Sequence, residues 1–228
     1  MCAGKTLQIA IDGPAGAGKS TVAKEIAGRM GLKYLDTGAM YRALTYQVLR
    51  HGLDPADEQS VTQLVEKTTI SFAAEQNRRI LCDGEDVTDK IRLSEVTAQV
   101  SAVSSYARVR QRMVQLQQSI AECSDVVMDG RDIGTVVLPQ ASVKIFLTAS
   151  LLERSKRRWT ELGEDASVKT MDDIAAELAE RDRWDSQRKI SPLKPAEDAY
   201  ILDTTGKSVD KIVEIILAMA QTSRGRET

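Results

Sequence analysis

The chain has 228 residues and a formal net charge of −2, with 42% apolar and 28% charged side chains. That length suits one α/β domain with an elaboration and allows a substantial core. The near-neutral charge argues against a surface built to coat a polyanion, and no run approaches the ~18 apolar residues of a membrane span.

Met1–Lys5 leads straight into a first strand, so no signal peptide is expected. Cys2, Cys82 and Cys123 are odd in number and lack metal-like spacing, which fits reduced thiols in the cytoplasm. Leu7–Ile11 is an apolar run of strand length. The octet Gly13-Pro14-Ala15-Gly16-Ala17-Gly18-Lys19-Ser20 follows and fits the pattern Gly-x4-Gly-Lys-Ser/Thr. Ser20–Ala27 then has helical spacing, with Val22 and Ile26 on one face. A strand feeding a glycine loop that opens a helix is an anion site, because loop N–H groups turn inward and the helix N-terminus adds positive potential. Residues 13–21, from Gly13 to Thr21, are therefore expected to bind a nucleoside triphosphate. Lys19 reaches the β- and γ-phosphates, and the Ser20 hydroxyl holds Mg²⁺. Asp12, just before the loop, is expected to brace it and is a weaker candidate for the metal.

Gly31 marks the end of the first helix, Lys33–Asp36 reads as a second strand, and residues 38–50 resume helical spacing. The only histidine, His51, precedes Gly52 at a helix end, where capping suffices, so histidine-centred catalysis is not expected. Asp54-Pro55-Ala56-Asp57 is expected to begin another short helix. Thr69–Ala73, Arg79–Cys82 and Glu85–Val87 are short β-like runs, and Asp83-Gly84 between the last two is a hairpin signal. Together they read as an inserted antiparallel subdomain over roughly 69–90.

Residues 94–121 read as two helices broken near Ser104-Ser105. Asp125–Asp129 and Val143–Leu147 are buried strands of the parallel kind, separated by Gly130-Arg131-Asp132-Ile133-Gly134. Residues 150–163 and 170–189 are charged helices, Ala199–Asp203 is a fifth strand, and Val209–Ala220 is an amphipathic helix. This alternation predicts a single domain over 1–228, a three-layer α/β/α phosphate-loop (P-loop NTPase) fold with a five-stranded parallel sheet.

Three loops should then meet at the carboxyl ends of the strands. Besides the phosphate loop, these are Asp36–Arg42 and Asp129–Asp132. They bring Arg42 and Arg131, each suited to a bidentate grip on phosphate, to the side of the sheet that holds Lys19. Asp129 has the position of a carboxylate that helps hold Mg²⁺. The charged helices carry Arg154, Arg157, Arg158, Arg181, Arg183 and Arg188. Two readings of them stay open: a solvated helix face laced with pairs to Glu177 and Glu180, or a lid over roughly 150–164 that brings cations onto a phosphoryl group.

The phosphate loop, Leu35-Asp36-Thr37-Gly38-Ala39-Met40-Tyr41-Arg42, and Asp129-Gly130-Arg131-Asp132-Ile133-Gly134-Thr135-Val136-Val137 together resemble bacterial cytidylate kinases. Arg181-Asp182-Arg183-Trp184-Asp185-Ser186-Gln187-Arg188 is similar to that family's helix before the last strand. The likeness runs from about residue 7 to 220. It implies ATP and Mg²⁺, CMP or dCMP as acceptor, and Lys19, Arg131, Arg154 and Arg158 as catalytic cations. It also implies that Thr37, Arg42 and Arg131 grip the acceptor phosphate. Ser101, Arg110, Asp132 and Arg188 would surround the cytosine, and Arg181 with Asp185 would meet sugar and phosphate. The family often has serine in place of Thr37 and glycine in place of Ser20. The expected protein is a cytoplasmic monomer with no nucleic-acid or membrane partner. A GTPase switch would need Asn-Lys-x-Asp, which the chain lacks; a kinase of another small acceptor stays open.

Overall fold

A computed structural model describes residues 6–73, 79–122, 124–163 and 169–225. Cys2, Cys123, part of the 69–90 insertion and the end of the 150–164 segment lie outside the described residues.

Five strands form one all-parallel sheet in the spatial order β2, β6, β1, β7, β8. They are β1 (Gln8–Asp12), β2 (Lys33–Asp36), β6 (Val126–Gly130), β7 (Val143–Thr148) and β8 (Tyr200–Asp203). A second, three-stranded antiparallel sheet holds β3 (Ile70–Phe72), β4 (Ile80–Cys82) and β5 (Glu85–Asp86). The helices are α1 (Lys19–Met30), α2 (Thr37–Arg50), α3 (Glu58–Lys67), α4 (Ser94–Val103), α5 (Ala107–Ala121), α6 (Leu151–Leu162), α7 (Met171–Gln187) and α8 (Val209–Gly225).

Apolar residues on both faces of the parallel strands explain the layering. Ile9, Ile11, Val127, Ile145 and Leu147 pack with Val22 and Ile26 of α1 and with Val213 and Ile216 of α8. On the other face Ala10, Leu35 and Met128 meet Met40 and Leu44 of α2 and Met113 of α5. Ile70, Ile80, Cys82 and Val87 of the small sheet join this second cluster, so the insertion is built onto α2 and shares its core. Its β4–β5 turn has positive φ at both Asp83 (51°) and Gly84 (83°), the backbone that a tight two-residue hairpin demands. Asp83 also accepts a 2.7 Å hydrogen bond from the Thr69 N–H, closing the base of the sheet.

Register brings the ligand-side loops to one level. Ile11 pairs with Asp129, Asp12 with Gly130, and Asp36 with Asp129, so β1, β2 and β6 end side by side. Chain reversal of strand order at that edge leaves a crevice at the carboxyl ends, the usual ligand position in such sheets.

Two elements differ from the sequence reading. The helix expected from Asp54-Pro55-Ala56-Asp57 begins at Glu58, after the last residue of that run, because Asp57 is the residue whose carboxylate accepts from the Gln59 and Ser60 N–H groups; Asp54 and Pro55 stay in the preceding turns. The Gly130–Gly134 connection is not an open loop throughout, since Ile133–Val137 winds into a π-helical turn. His51 is the C-terminal cap of α2, with its ring Nδ1 2.8 Å from the Gln47 carbonyl. Among the described residues, no helix is long and apolar enough to cross a membrane.

Candidate active site

Gly13 leaves β1 with φ +147°, and a Cβ there would sit 2.0 Å from the Leu147 carbonyl oxygen, so only glycine lets the loop pass β7 this closely. Lys19 starts α1 and lies buried, its ammonium donating a 2.7 Å hydrogen bond back to the Pro14 carbonyl. Burial, then the neighbouring Arg131, pull its pKa well below that of a free lysine. The next residue, Ser20, donates to Asp129 Oδ2 at 2.7 Å, and Tyr34 Oη donates to Asp129 Oδ1 at 2.9 Å. Both carboxylate oxygens of Asp129 are thus oriented by neutral hydroxyls. Its pKa is nevertheless raised, first by burial and then by Asp36.

Beside these groups lies a second set, rich in arginine. Thr37 Oγ1 donates to the Asp129 carbonyl at 2.7 Å, and Arg42 pairs with Asp36 at 3.0 Å. Arg131 Nε donates to Asp185 Oδ2 at 2.8 Å. Asp132 is ion-paired with Arg110, and Arg188 approaches both Asp132 and Asp185 at 3.7 and 3.9 Å. Burial raises the Asp185 pKa, but Arg131, Arg181 and Arg188 outweigh it and hold the carboxyl below its ordinary value. Arg181 is brought down to about 10, by burial and then by Arg131. Among the described residues, Arg110 Nε, Arg181 Nε and Arg188 Nη2 are buried donors with no hydrogen-bond partner. Each such donor costs ~1–3 kcal/mol, a cost that an anionic or acceptor-rich ligand removes.

These groups line one cleft of about 530 Å³. Of the residues expected from sequence, Ala15, Gly16, Gly18, Lys19, Ser20, Thr21, Thr37, Arg42, Ser101, Arg110, Asp129, Arg131, Asp132, Arg158, Arg181, Asp185 and Arg188 all border it. Gly13, Pro14 and Ala17 form the back of the phosphate loop and do not. Arg154 stands apart as well. Its guanidinium lies beneath the loop, donating to the Ala15 carbonyl at 3.0 Å and the Ala149 carbonyl at 3.1 Å, while its i+28 partner Asp182 completes the pair. Arg157 is likewise committed, donating to Thr204 Oγ1 at 3.0 Å and the Thr204 carbonyl at 2.8 Å. Arg183, by contrast, is exposed and, among the described residues, pairs only with Glu180 at 3.6 Å. Arg183 thus fits the solvated-face reading, Arg158 borders the cleft, and Arg154 and Arg157 fit neither reading, being held by the backbone of the phosphate loop and of Thr204.

The lining also includes Lys24, Tyr41, Arg92 and Thr97, which sequence reasoning did not single out. Tyr41 stacks beneath Arg110, 5.3 Å from guanidinium to ring centroid, and lies within the matched run that carries Thr37 and Arg42. Arg92 comes from a 3₁₀ turn after the small sheet, and no local pattern points it at the cleft. Nine lysine and arginine side chains face five carboxylates in this cleft, a local positive excess in a chain whose net charge is −2. Such a surface suits two small polyanions held close together.

A parallel sheet with a phosphate loop at its carboxyl edge, a hydroxyl–carboxylate pair beside the loop lysine, and an arginine-lined second subsite define a phosphate-loop phosphotransferase. The structure is similar in fold to a shikimate kinase of Bacteroides thetaiotaomicron (TM-score 0.50, 11% identity, 94% of this chain and 98% of that one). It is also similar to an uncharacterised protein of Eubacterium ventriosum ATCC 27560 (TM-score 0.54, 12% identity, 95% and 99%). A family model described as cytidylate kinase matches residues 9–222. A cytidylate kinase of Desulfitobacterium hafniense strain Y51 is 50% identical over 215 residues, 94% of this chain and 93% of its own length. The chain belongs to the cytidylate kinase family.

Proposed function

We propose that the chain transfers the γ-phosphoryl group of ATP to CMP or dCMP, giving CDP or dCDP, with donor and acceptor bound end to end in the arginine-lined cleft. The observation that carries this reading is the convergence of Lys19, Arg131, Arg181 and Arg42 around one cleft whose far wall is the Asp132–Arg110–Arg188 cluster. Lys19 and the loop N–H groups take the donor phosphates. Thr37, Arg42 and Arg131 take the acceptor phosphate, and Arg158 reaches the cleft from the side of α6. Ser101, Arg110, Asp132 and Arg188 bound the base, with Arg181 and Asp185 toward the sugar and phosphate.

The acceptor is a phosphate monoester whose second pKa, near ~6, leaves it mostly dianionic at neutral pH. No general base is needed, in keeping with the placement of His51 at the far end of α2. The work of the protein is to align two polyanions and offset their charge. Ser20 Oγ and Asp129 Oδ2, hard oxygen donors 2.7 Å apart beside the phosphate loop, fit Mg²⁺, which takes few protein ligands and completes its shell with water and phosphate oxygens. When bound, the ion supplies charge neutralisation on the transferring phosphate. Arg154 acts on this reading through the loop, by fixing the Ala15 carbonyl, and Arg158 is the cation of α6 that can reach the transferring group. The protein is further taken to act as a monomer in the cytoplasm on free nucleotides. Support for its acting on free nucleotides comes from a cleft of small-molecule size.

A panel of acceptors with ATP and Mg²⁺ tests the reading. CMP and dCMP are expected to be phosphorylated, with AMP, GMP and shikimate left essentially unused. Turnover of AMP or GMP at the CMP rate would contradict it.

A further inference from the structure

Asp12 closes β1 one residue before the phosphate loop and is only 4% exposed. Its carboxylate is not part of the cleft wall. Oδ1 accepts a hydrogen bond from the Ile133 N–H and Oδ2 one from the Gly134 N–H, each at 2.8 Å. Ile133 and Gly134 open the π-helical turn immediately after Arg131 and Asp132. N–H groups in the first turn of a helix have no acceptor within it, so this turn depends on an outside partner for them. Its own backbone bonds begin at the Val136 and Val137 N–H groups, both directed to the Asp132 carbonyl. The two residues ahead of the turn face the acceptor side: Arg131 onto Asp185, Asp132 onto Arg110 and Arg188.

We propose that Asp12 is a positioning residue for the acceptor subsite, clamping the Ile133–Gly134 turn to the strand that carries the phosphate loop. The inference rests on the kinase reading above and adds to it a residue that touches neither nucleotide. The chemistry requires a carboxylate. Two N–H groups converge on two separate oxygens, and an amide supplies one acceptor oxygen while turning its NH₂ toward the second N–H. The geometry also couples distance to rate. The phosphate loop follows Asp12 directly, and Arg131 precedes Ile133 by two residues, so one buried group sets the separation of donor and acceptor phosphates. Misplacement of reacting groups by ~1 Å can cost ~10²-fold in rate. The carboxyl retains a raised pKa of about 6 because burial outweighs both N–H bonds, and Asp132 and Lys19 are the charged groups that act on it, the first raising and the second lowering it.

The test is Asp12→Asn, with CMP and ADP affinities measured separately by calorimetry alongside kcat and KM for CMP. The expected result is a CMP Kd and KM raised at least ~10-fold, kcat lowered by ~10-fold or more, and an ADP Kd within ~2-fold of the parent. Parent-like CMP binding and turnover would overturn the proposal. So would an equal loss of CMP and ADP affinity, which is the mark of a general structural defect. If the variant does not fold, amide exchange in the parent decides: the Ile133 and Gly134 amides should exchange as slowly as those of β1, and free exchange would overturn the clamp. Failure of the parent to phosphorylate CMP would instead remove the functional reading, and the same amide measurement would still decide whether the clamp exists.

Discussion

Lys19 lies buried within the fields of Arg131 and Asp129, and its ammonium closes back on the Pro14 carbonyl. Lys19→Ala removes that cation from the place where negative charge builds on the transferring phosphate. The variant should stay folded by circular dichroism and lose at least ~10²-fold in turnover of CMP. A folded variant with near-parent rate would show that the loop is not the catalytic phosphate site. Asp12 allows a stability prediction with a definite sign. Burial moves its carboxyl from the ordinary 3.8 to about 6, only partly opposed by the Gly134 and Ile133 N–H groups. Folded protein therefore holds this proton more tightly than the unfolded chain. The associated stability is complete below pH 3.8 and is lost as pH rises through 6, for a total of about 3 kcal/mol. In urea unfolding, the stability of the parent relative to Asp12→Asn should fall between pH 4 and pH 7 by up to that amount. A difference that stays flat with pH would contradict the shift. At this scale the sequence was readable where a side chain borders the cleft beside its own motif, as Lys19, Ser20, Arg131 and Asp132 do. Tyr34 was not readable: one alternating strand residue looks like any core tyrosine until β2 and β6 are paired and its hydroxyl meets Asp129.

Among the elements, α6 carries both kinds of arginine on one helix. Arg154 and Arg157 tie its first turns to the phosphate loop and to the end of β8, through the Ala15 and Thr204 backbone. Arg158 is more exposed, is paired with Glu161 at 3.3 Å, and borders the cleft. Closure over bound nucleotides should therefore pivot on a fixed base. With CMP and a non-hydrolysable ATP analogue, amide exchange should slow from Arg158 to Leu162 and in β3–β5, and change little over Leu151–Ser155. Unchanged protection in both the end of α6 and the small sheet would count against a closing lid. The elements themselves were largely legible because each has a local cause: apolar runs for β1, β6 and β7, glycine at Gly31, Asp-Gly for the hairpin. The misses arose where local signals compete. Asp54-Pro55 and Asp57 both look like helix starts, and only Asp57 has free N–H groups three residues on. The π-turn at Ile133–Val137 has no sequence period of its own, since Asp12, 121 residues away, supplies the acceptors for its opening N–H groups. The structural role of Arg154 was hidden for the same reason: its partner Asp182 is on another helix.

For the molecule as a whole, a chain with net charge −2 concentrates nine cations against five carboxylates in one cleft. Such a focused field draws anionic nucleotides to the site, and their capture should weaken as salt rises. The sheet order accounts for that concentration, because β1, β2 and β6 end level and deliver Lys19, Thr37, Arg42, Asp129 and Arg131 to the same edge. Charge alone does not choose the base; on the proposed reading the Asp132 cluster does. Cytosine presents an amino donor beside ring acceptors, which suits an aspartate accepting and Arg110 and Arg188 donating. Uracil sets an oxygen against the carboxylate and an N–H against a cation, leaving buried groups unpaired, and rejection on that basis can reach ~10⁴-fold. The most direct measurement is kcat/KM for CMP against UMP in the parent and in Asp132→Ala. The account predicts at least ~10²-fold preference for CMP in the parent, narrowed in the variant mainly through loss of CMP activity. Equal use of CMP and UMP by the parent would contradict it.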